Sequence, residues 1–442
     1  MAPRLACRRA AVEGGGVRDI ALLALLAALL PKSLMHPWVG SVVWAWISLM
    51  NPHEYTWTAR HFPVAATVGG ATLLGLVFSR DRKRSPFRPA TWVLCIFLLW
   101  ICLTTAVAFY PAESWDMLKK VLKIQLMVFV TIAVLTNRRQ LDIFLWVVVF
   151  SIGYYGVKGG LFTIATGGSY RVWGPPNSFI EGNNELALAL VMTIPLMRYL
   201  QLGLKNAWQR NGMTVAMVLT AAAALGSQSR GALLAISAMG LLLWWRSPRK
   251  LVSGVVIAGC AVGLFFFMPE SWHQRMDTIG TYHSDESAMG RIYTWRAMTN
   301  LAEDRVTGGG FAIYRPEIFA QYKHSEDTAL VRAAHSIYFQ VLGEHGFIGL
   351  GIFLLFWMVV WGTAARLRRR ARGDPRTRWA ADLAALSQAA LIGYWVGGAF
   401  LSLAYFDLPY DLVAALVVAG RIVDDTLAER PTPVASGVAV AA

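Results

Sequence analysis

Between residues 61 and 425 the chain repeats one pattern: an apolar block of spanning or near-spanning length, then a short polar loop. The blocks fall at about 61–79, 90–108, 117–135, 141–157, 184–200, 213–226, 230–245, 251–268, 336–364, 380–401 and 409–425. A hydrocarbon layer ~30 Å thick takes about 20 apolar residues of helix, and only a helix or a closed barrel satisfies its own backbone there. The pattern predicts an all-α polytopic membrane protein. Composition excludes an ordinary water-soluble chain: 56% of residues are hydrophobic and 15% charged, where soluble domains carry about 25% charged residues. The 18 Trp and 14 Tyr suit two membrane–water interfaces.

Charge orients the blocks. Arg80, Arg82, Lys83, Arg84 and Arg88 mark one loop, and Arg138 and Arg139 the next on that side. Then come Arg198, Lys205 and Arg210; Arg246, Arg249 and Lys250; and the run Arg366, Arg368, Arg369, Arg370, Arg372, Arg376 and Arg378. Every second loop is basic, as the positive-inside rule requires. The net charge of +15 is therefore an orientation signal and not a sign of nucleic acid. Residues 20–50 are one apolar stretch interrupted by Pro31 and Lys32, either one long broken span or two short ones by length, and charge favours the first. A net single crossing there, with a break at Pro31, places the basic N-terminal tail on the cytoplasmic side as well. The first span reads as retained, since no convincing small-residue cleavage site follows it.

The expectation is about twelve spans with both termini cytoplasmic. Residues 1–268 hold spans one to nine, 269–335 form one large periplasmic loop between spans nine and ten, and 336–429 hold spans ten to twelve. Residues 430–442 read as a disordered tail. A transport bundle has little need of so long an outer loop; a membrane enzyme acting on an exported substrate does. The cysteines, Cys7, Cys95, Cys102 and Cys260, suggest no disulfide framework.

Several residues carry candidate chemistry. Arg230 follows Gly226-Ser227-Gln228-Ser229 at the outer surface between two closely connected spans. A charge at that depth facing lipid costs at least ~2.5 kcal/mol, so a wet cavity or a fixed anion is expected beside it, against the alternative of a snorkelling interface arginine. Arg291, in Gly290-Arg291-Ile292-Tyr293-Thr294-Trp295, and Arg275, in Trp272-His273-Gln274-Arg275, each read alone as solvated loop charges. With Arg230 they make a basic outer cluster, and a guanidinium fork matches phosphate oxygens bidentately. His335 opens the tenth span, where a helix N-terminus disfavours imidazolium; Tyr338 follows one turn on and Glu344 further along. An interface histidine bonded to a backbone carbonyl is the competing reading.

Asn183, Asn184 and Glu185 start the sixth span, where capping alone explains them. Lys119, Lys120 and Lys123 start the fourth span on the outer side, against the positive-inside trend, and read as lipid headgroup contacts. No two histidines have metal-ligand spacing, and the long loop has no Asp-x-Asp pair, so neither metal nor other cofactor is expected.

Taken in order, Ser-x-Ser-Arg-Gly (Ser227 to Gly231), a late loop with Gly-Arg-x-x-x-Trp (Gly290 to Trp295) and the Gly308-Gly309-Gly310 turn, then His-Ser-x-Tyr (His335 to Tyr338) with Glu-x-Gly (Glu344 to Gly346), resemble the O-antigen ligase and polymerase superfamily of bacterial inner membranes. The N-terminal His36-Pro37 and Met50-Asn51-Pro52-His53, with Gly182-Asn183-Asn184-Glu185-Leu186-Ala187, look like a subgroup, the O-glycosylation ligases associated with exosortase systems. The resemblance implies a metal-independent, inverting glycosyltransferase. It would move a preassembled glycan from undecaprenyl pyrophosphate to a lipid or protein acceptor hydroxyl at the periplasmic face. It also implies that Arg230 and one loop arginine, Arg291 or Arg275, hold the pyrophosphate and that His335 is essential. Tyr338, Glu344, Glu185 and Lys119 are candidate supporting residues. A polymerase would differ only in its acceptor; a lipid-linked sugar flippase or an assembly scaffold are readings outside the enzyme class.

Overall fold

The computed structural model describes residues 2–277, 286–324 and 331–429, and every regular element among them is helical. The chain begins with α1 (Ala2–Met35) and α2 (Pro37–Met50). It continues with α3 (Val64–Phe78), α4 (Pro89–Ala106), α5 (Pro111–Val134), α6 (Arg138–Ala165), α7 (Asn183–Leu202), α8 (Ala207–Gly226), α9 (Arg230–Arg246) and α10 (Lys250–Phe267). Three further helices, α11 (Glu270–Asp277), α12 (Glu286–Asp304) and α13 (Pro316–Tyr322), precede α14 (Ile337–Ala371), α15 (Arg378–Gly398) and α16 (Asp407–Ala428). By length and apolarity α4, α6, α7 and α14 suffice to cross a membrane, and α2 and α3 are shorter apolar helices. Large apolar side chains such as Leu99, Phe150, Leu241, Phe266 and Met358 point outward from the bundle, as a lipid-facing surface requires.

One end of the bundle is rich in arginine and is locked by ion pairs. Arg84 reaches Asp425 at 2.7 Å, Arg370 reaches Asp424 at 2.7 Å, and Arg421 donates to the Leu135 carbonyl. The other end carries α11 to α13. There Ala297, Met298, Leu301, Ile313, Ile318, Phe319 and Tyr322 build a small core of their own, with Phe109 and Tyr110 packed against it.

Residues 20–50 depart from the single crossing expected of them. The carboxylate of Asp19 accepts the backbone N–H groups of Trp57, Thr58 and Ala59 at the α12 end. The carbonyls of Ser33 and Leu34 lie against Gly75, near the far end of α3. So α1 runs toward the arginine-rich end and α2 returns, as an antiparallel pair. Pro31 stays inside α1, and the chain reverses at His36 (φ −130°, ψ 89°), ahead of Pro37. Proline drives the residue before it out of the α region, and Pro37 then opens α2, where a missing N–H costs nothing.

Two devices position the functional end. Gly156 and Gly160 let α6 meet α8 closely: a Cβ at Gly160 would sit 2.1 Å from the Leu219 carbonyl oxygen, and one at Gly156 would sit 2.4 Å from the Thr220 hydroxyl. Small residues at such spacing are the usual means of close packing where lipid supplies no hydrophobic drive between helices. The second device is a break in α14 at Gly346 (φ 70°, ψ −175°). It frees carbonyls that must find donors away from water. Gly309 N–H donates to the Gly343 carbonyl at 2.9 Å, Gly310 N–H to Glu344 at 2.9 Å, and Trp100 Nε1 to His345 at 2.9 Å. Only glycine allows this approach: Gly308 has φ +64°, and a Cβ there would lie 2.6 Å from Gly346 N.

Candidate functional site

The break in α14 fixes the segment before it. His335 lies two residues ahead of α14, outside the helix, with the left-handed φ of +45°. A non-glycine residue there is uncommon, and a bulky one persists only when its surroundings impose it. The impositions are visible. Its backbone N–H donates to Ser402 Oγ at 2.9 Å, Trp295 Nε1 donates to the Ala334 carbonyl at 2.7 Å, and the Trp295 ring stacks on Phe339 with centroids 4.8 Å apart and planes 5° apart. The tryptophan of the Gly-Arg-x-x-x-Trp sequence is thus a clamp on the histidine segment. The glycine of that sequence makes room: a Cβ at Gly290 would lie 3.0 Å from the Arg332 guanidinium.

The His335 imidazole is half-buried. Burial, then the guanidinium groups of Arg291 and Arg332, hold its pKa below the ordinary 6.5. The neutral ring is therefore the favoured form near neutrality, with its proton-accepting nitrogen available. The sequence reading assigned this preference to the helix N-terminus. The causes in the structure are desolvation and two neighbouring cations. Arg332, three residues before the histidine, was missed: without the fold, nothing marks it out from other loop arginines.

Glu185, in the first turn of α7, lies within electrostatic reach of Arg291 and folds back over Gly182, where a Cβ would fall 2.0 Å from its Oε2. Asn183 Nδ2 donates to the Ser227 carbonyl at 2.8 Å, tying the start of α7 to the Ser-x-Ser-Arg turn. In that turn Gln228 takes φ +57°, and Ser229 caps α9 by accepting from Ala232 N at 3.2 Å. Arg230 is the first residue of α9 and is half-buried. Its neighbour Gly231 packs beside Phe400, two residues from the Ser402 that holds His335. Arg230, Glu185, Arg291, Arg332 and His335 therefore occupy one end of the bundle, on elements that are bonded or packed to one another.

The other candidates sit elsewhere. Arg275 lies in α11, but its side chain is outside the described residues. Tyr338 was placed on one helical face with His335; since His335 is not in the helix that relation lapses, and the Tyr338 hydroxyl donates to the Trp395 carbonyl at 3.1 Å, joining α14 to α15. Glu344 is buried at the break, accepting from Tyr405 at 2.6 Å and Gln340 at 3.4 Å, with the Tyr314 hydroxyl nearby. Its partners make it part of the frame. Lys119 pairs with Asp116 at 2.7 Å beside a different cavity. Among the described residues no three His, Cys, Asp or Glu side chains converge as a metal set; beside His335 the neighbouring positive charge comes from Arg291 and Arg332.

Two family models match separate stretches of the chain. Residues 215–354, from α8 through the break in α14, match the O-antigen ligase family. The chain carries an O-antigen ligase domain. It is a membrane glycosyltransferase of that family's kind, acting in ligase- or polymerase-type glycan transfer on lipid-linked glycans. Residues 17–205, from α1 through α7, match a family of unknown function (DUF5935). No curated protein matches the chain. Of the residues gathered at the functional end, Arg230, Arg291, Arg332 and His335 fall in the O-antigen ligase domain, while Glu185 comes from the other region.

Proposed function

We propose that the protein transfers a preassembled glycan from undecaprenyl pyrophosphate to an acceptor hydroxyl at the periplasmic face of the inner membrane, with inversion at the anomeric carbon. The observation that carries this reading is the His335 segment, its backbone held by Ser402 and the Trp295 clamp, with the imidazole favoured neutral by burial and by the charges of Arg291 and Arg332.

The acceptor oxygen forms a bond to the anomeric carbon as the bond from that carbon to the pyrophosphate oxygen breaks. The acceptor proton passes to His335. General-base assistance of this kind contributes typically about 10²–10⁴-fold. Charge grows on the leaving pyrophosphate, which stays on the polyprenyl chain. Arg230 and Arg291, with Arg332 beside them, neutralise that charge from fixed positions, and Arg275 remains a candidate fourth cation. Prearranged charges aimed at developing charge are commonly the largest single contribution to such a step. Glu185 orients Arg291 by charge pairing. The N-terminal sequence resembles the subgroup associated with exosortase systems, which makes an exported envelope glycan the substrate class to test.

Purified protein incubated with undecaprenyl-pyrophosphate glycan and candidate acceptors is expected to yield a glycosylated species identifiable by mass. His335→Ala is expected to abolish it. Wild-type activity in a well-folded His335→Ala protein removes the role assigned to the imidazole. A ladder of growing products identifies the polymerase form of the reaction.

A further inference from the structure

A cavity lies in the region of unknown function. It has a volume of ≈ 380 Å³ and is lined by Ser48, Asn51 and His53, by Lys119, Lys120 and Lys123 of α5, and by Asp407 at the start of α16. An apolar groove of ≈ 480 Å³ runs from it along α3 and α5, past Ala66, Gly70, Leu73, Leu126 and Met127. The two spaces share Trp44, His53, Ala65 and Lys123. Every lining residue except Asp407 falls within residues 17–205.

Lys119, Lys120 and Lys123 are exposed on α5, and Lys123 lies furthest along the helix from its N-terminus. Lys123 stands about 16 Å along the helix axis from Val134, at the arginine-rich end of α5. In the span expected over 117–135, that is about midway through a ~30 Å hydrocarbon layer. An ammonium at such depth is costly and is kept where it meets an anion or water. Lys119 pairs with Asp116, and Lys120 lies 3.9 Å from the Phe179 ring and within electrostatic reach of Asp407. Lys123 makes no ion pair among the described residues, and it stands where the polar cavity opens into the apolar groove. Beside it the buried Nδ1 of His53 has no hydrogen-bond partner among the described residues.

We propose that this cavity and groove form a second lipid site, which takes polyprenyl pyrophosphate: the headgroup against Lys120, Lys123 and His53, the first isoprene units in the groove. The identity of the lipid rests on the glycan-transfer reading. Charge favours it over bulk phospholipid. A bare pyrophosphate offers several negative charges to the lysines, whereas an ethanolamine headgroup brings a cation of its own. Each methylene buried in the groove adds about 0.8 kcal/mol. The site adjoins the catalytic end through one short turn: Ser402 holds His335, and Asp407 lines the cavity. A carrier lipid could therefore wait there before transfer, or rest there after it. This gives the region of unknown function a task that the O-antigen ligase domain leaves open.

The test is lipid retention by the full-length protein in detergent, read by native mass spectrometry, with undecaprenyl pyrophosphate and phosphatidylglycerol offered separately. Wild type is expected to hold undecaprenyl pyrophosphate in preference to phosphatidylglycerol. Lys123→Gln is expected to lower that retention by about tenfold, the loss of one charge-assisted contact, and Lys123→Arg to restore most of it. Unchanged retention in a folded Lys123→Gln protein overturns the proposal, as does equal retention of the two lipids. His335→Ala is the control. If it abolishes transfer yet retains the lipid while Lys123→Gln does not, both readings stand. If wild type forms no glycosylated product yet Lys123→Gln still loses the lipid, the transfer reading fails and the second site stands.

Discussion

The lysine cavity and the His335 corner both leave helical geometry, but with different residues. At the cavity the left-handed positions are Asn51 (φ 48°) and Asn177 (φ 56°). Asparagine adopts that region routinely, so the cavity stores little strain and its cations project from the regular helix α5. At the corner the left-handed positions are Gln228 (φ 57°) and His335 (φ 45°), framed by Gly308, Gly310 and Gly346. There the geometry is imposed by outside bonds, from Ser402, Trp295 and the Gly309 and Gly310 amides. The difference suits a division of labour. Holding a lipid needs a cation and a groove, both of which a helix surface supplies. Presenting one imidazole to an acceptor hydroxyl needs an orientation that helix surfaces do not offer, and the chain meets the strain through a network.

If the corner is the reacting centre, its variants lose rate and the cavity's lose lipid. His335→Ala should lower glycan transfer by about 10²–10⁴-fold with the melting temperature little changed; a small loss of rate would erase the distinction between the regions. Arg332→Gln should lower the rate on the order of 10²-fold and also shift its pH profile. The neutral imidazole is the active form and its pKa is depressed below 6.5, so the acidic limb of the rate should lie below pH 6.5. Removing a neighbouring cation should raise that limb toward 6.5. A limb already at 6.5 in wild type, or one that moves down in the variant, contradicts the assignment. The same depression links to stability: the contribution is intact above pH 6.5 and is lost as the pH falls through the lowered folded value.

Gly310→Ala tests the frame. With φ +82° and a Cβ that would lie 2.3 Å from that of Ala108, the substitution should cost about 1–3 kcal/mol, visible as a lower melting temperature and a lower rate together. The smallest effect belongs to Tyr338→Phe. It removes one hydrogen bond to Trp395, worth about 0.5–1.5 kcal/mol, and should leave transfer nearly unchanged; a loss as large as that of His335→Ala would return Tyr338 to the chemistry.

The apolar blocks determined the helical membrane bundle, since their lengths leave the backbone no other way to satisfy itself in lipid. They missed the reversal at His36, because a 31-residue apolar stretch has no polar loop to mark a turn, and Pro31 was a louder signal than the His36-Pro37 step that makes it. The motif order pointed to Arg230, Arg291 and His335, and spacing along a helix wrongly tied Tyr338 to the histidine. Only the tertiary structure decided that His335 stands outside α14, that Arg332 lies within electrostatic reach of it, that Glu185 comes across from α7, and that Lys119 lines a cavity. Those relations depend on contacts between residues far apart in the chain, and no local period encodes them. Sequence periodicity fixes which residues face away from water. Which of them face one another is set by how the helices pack.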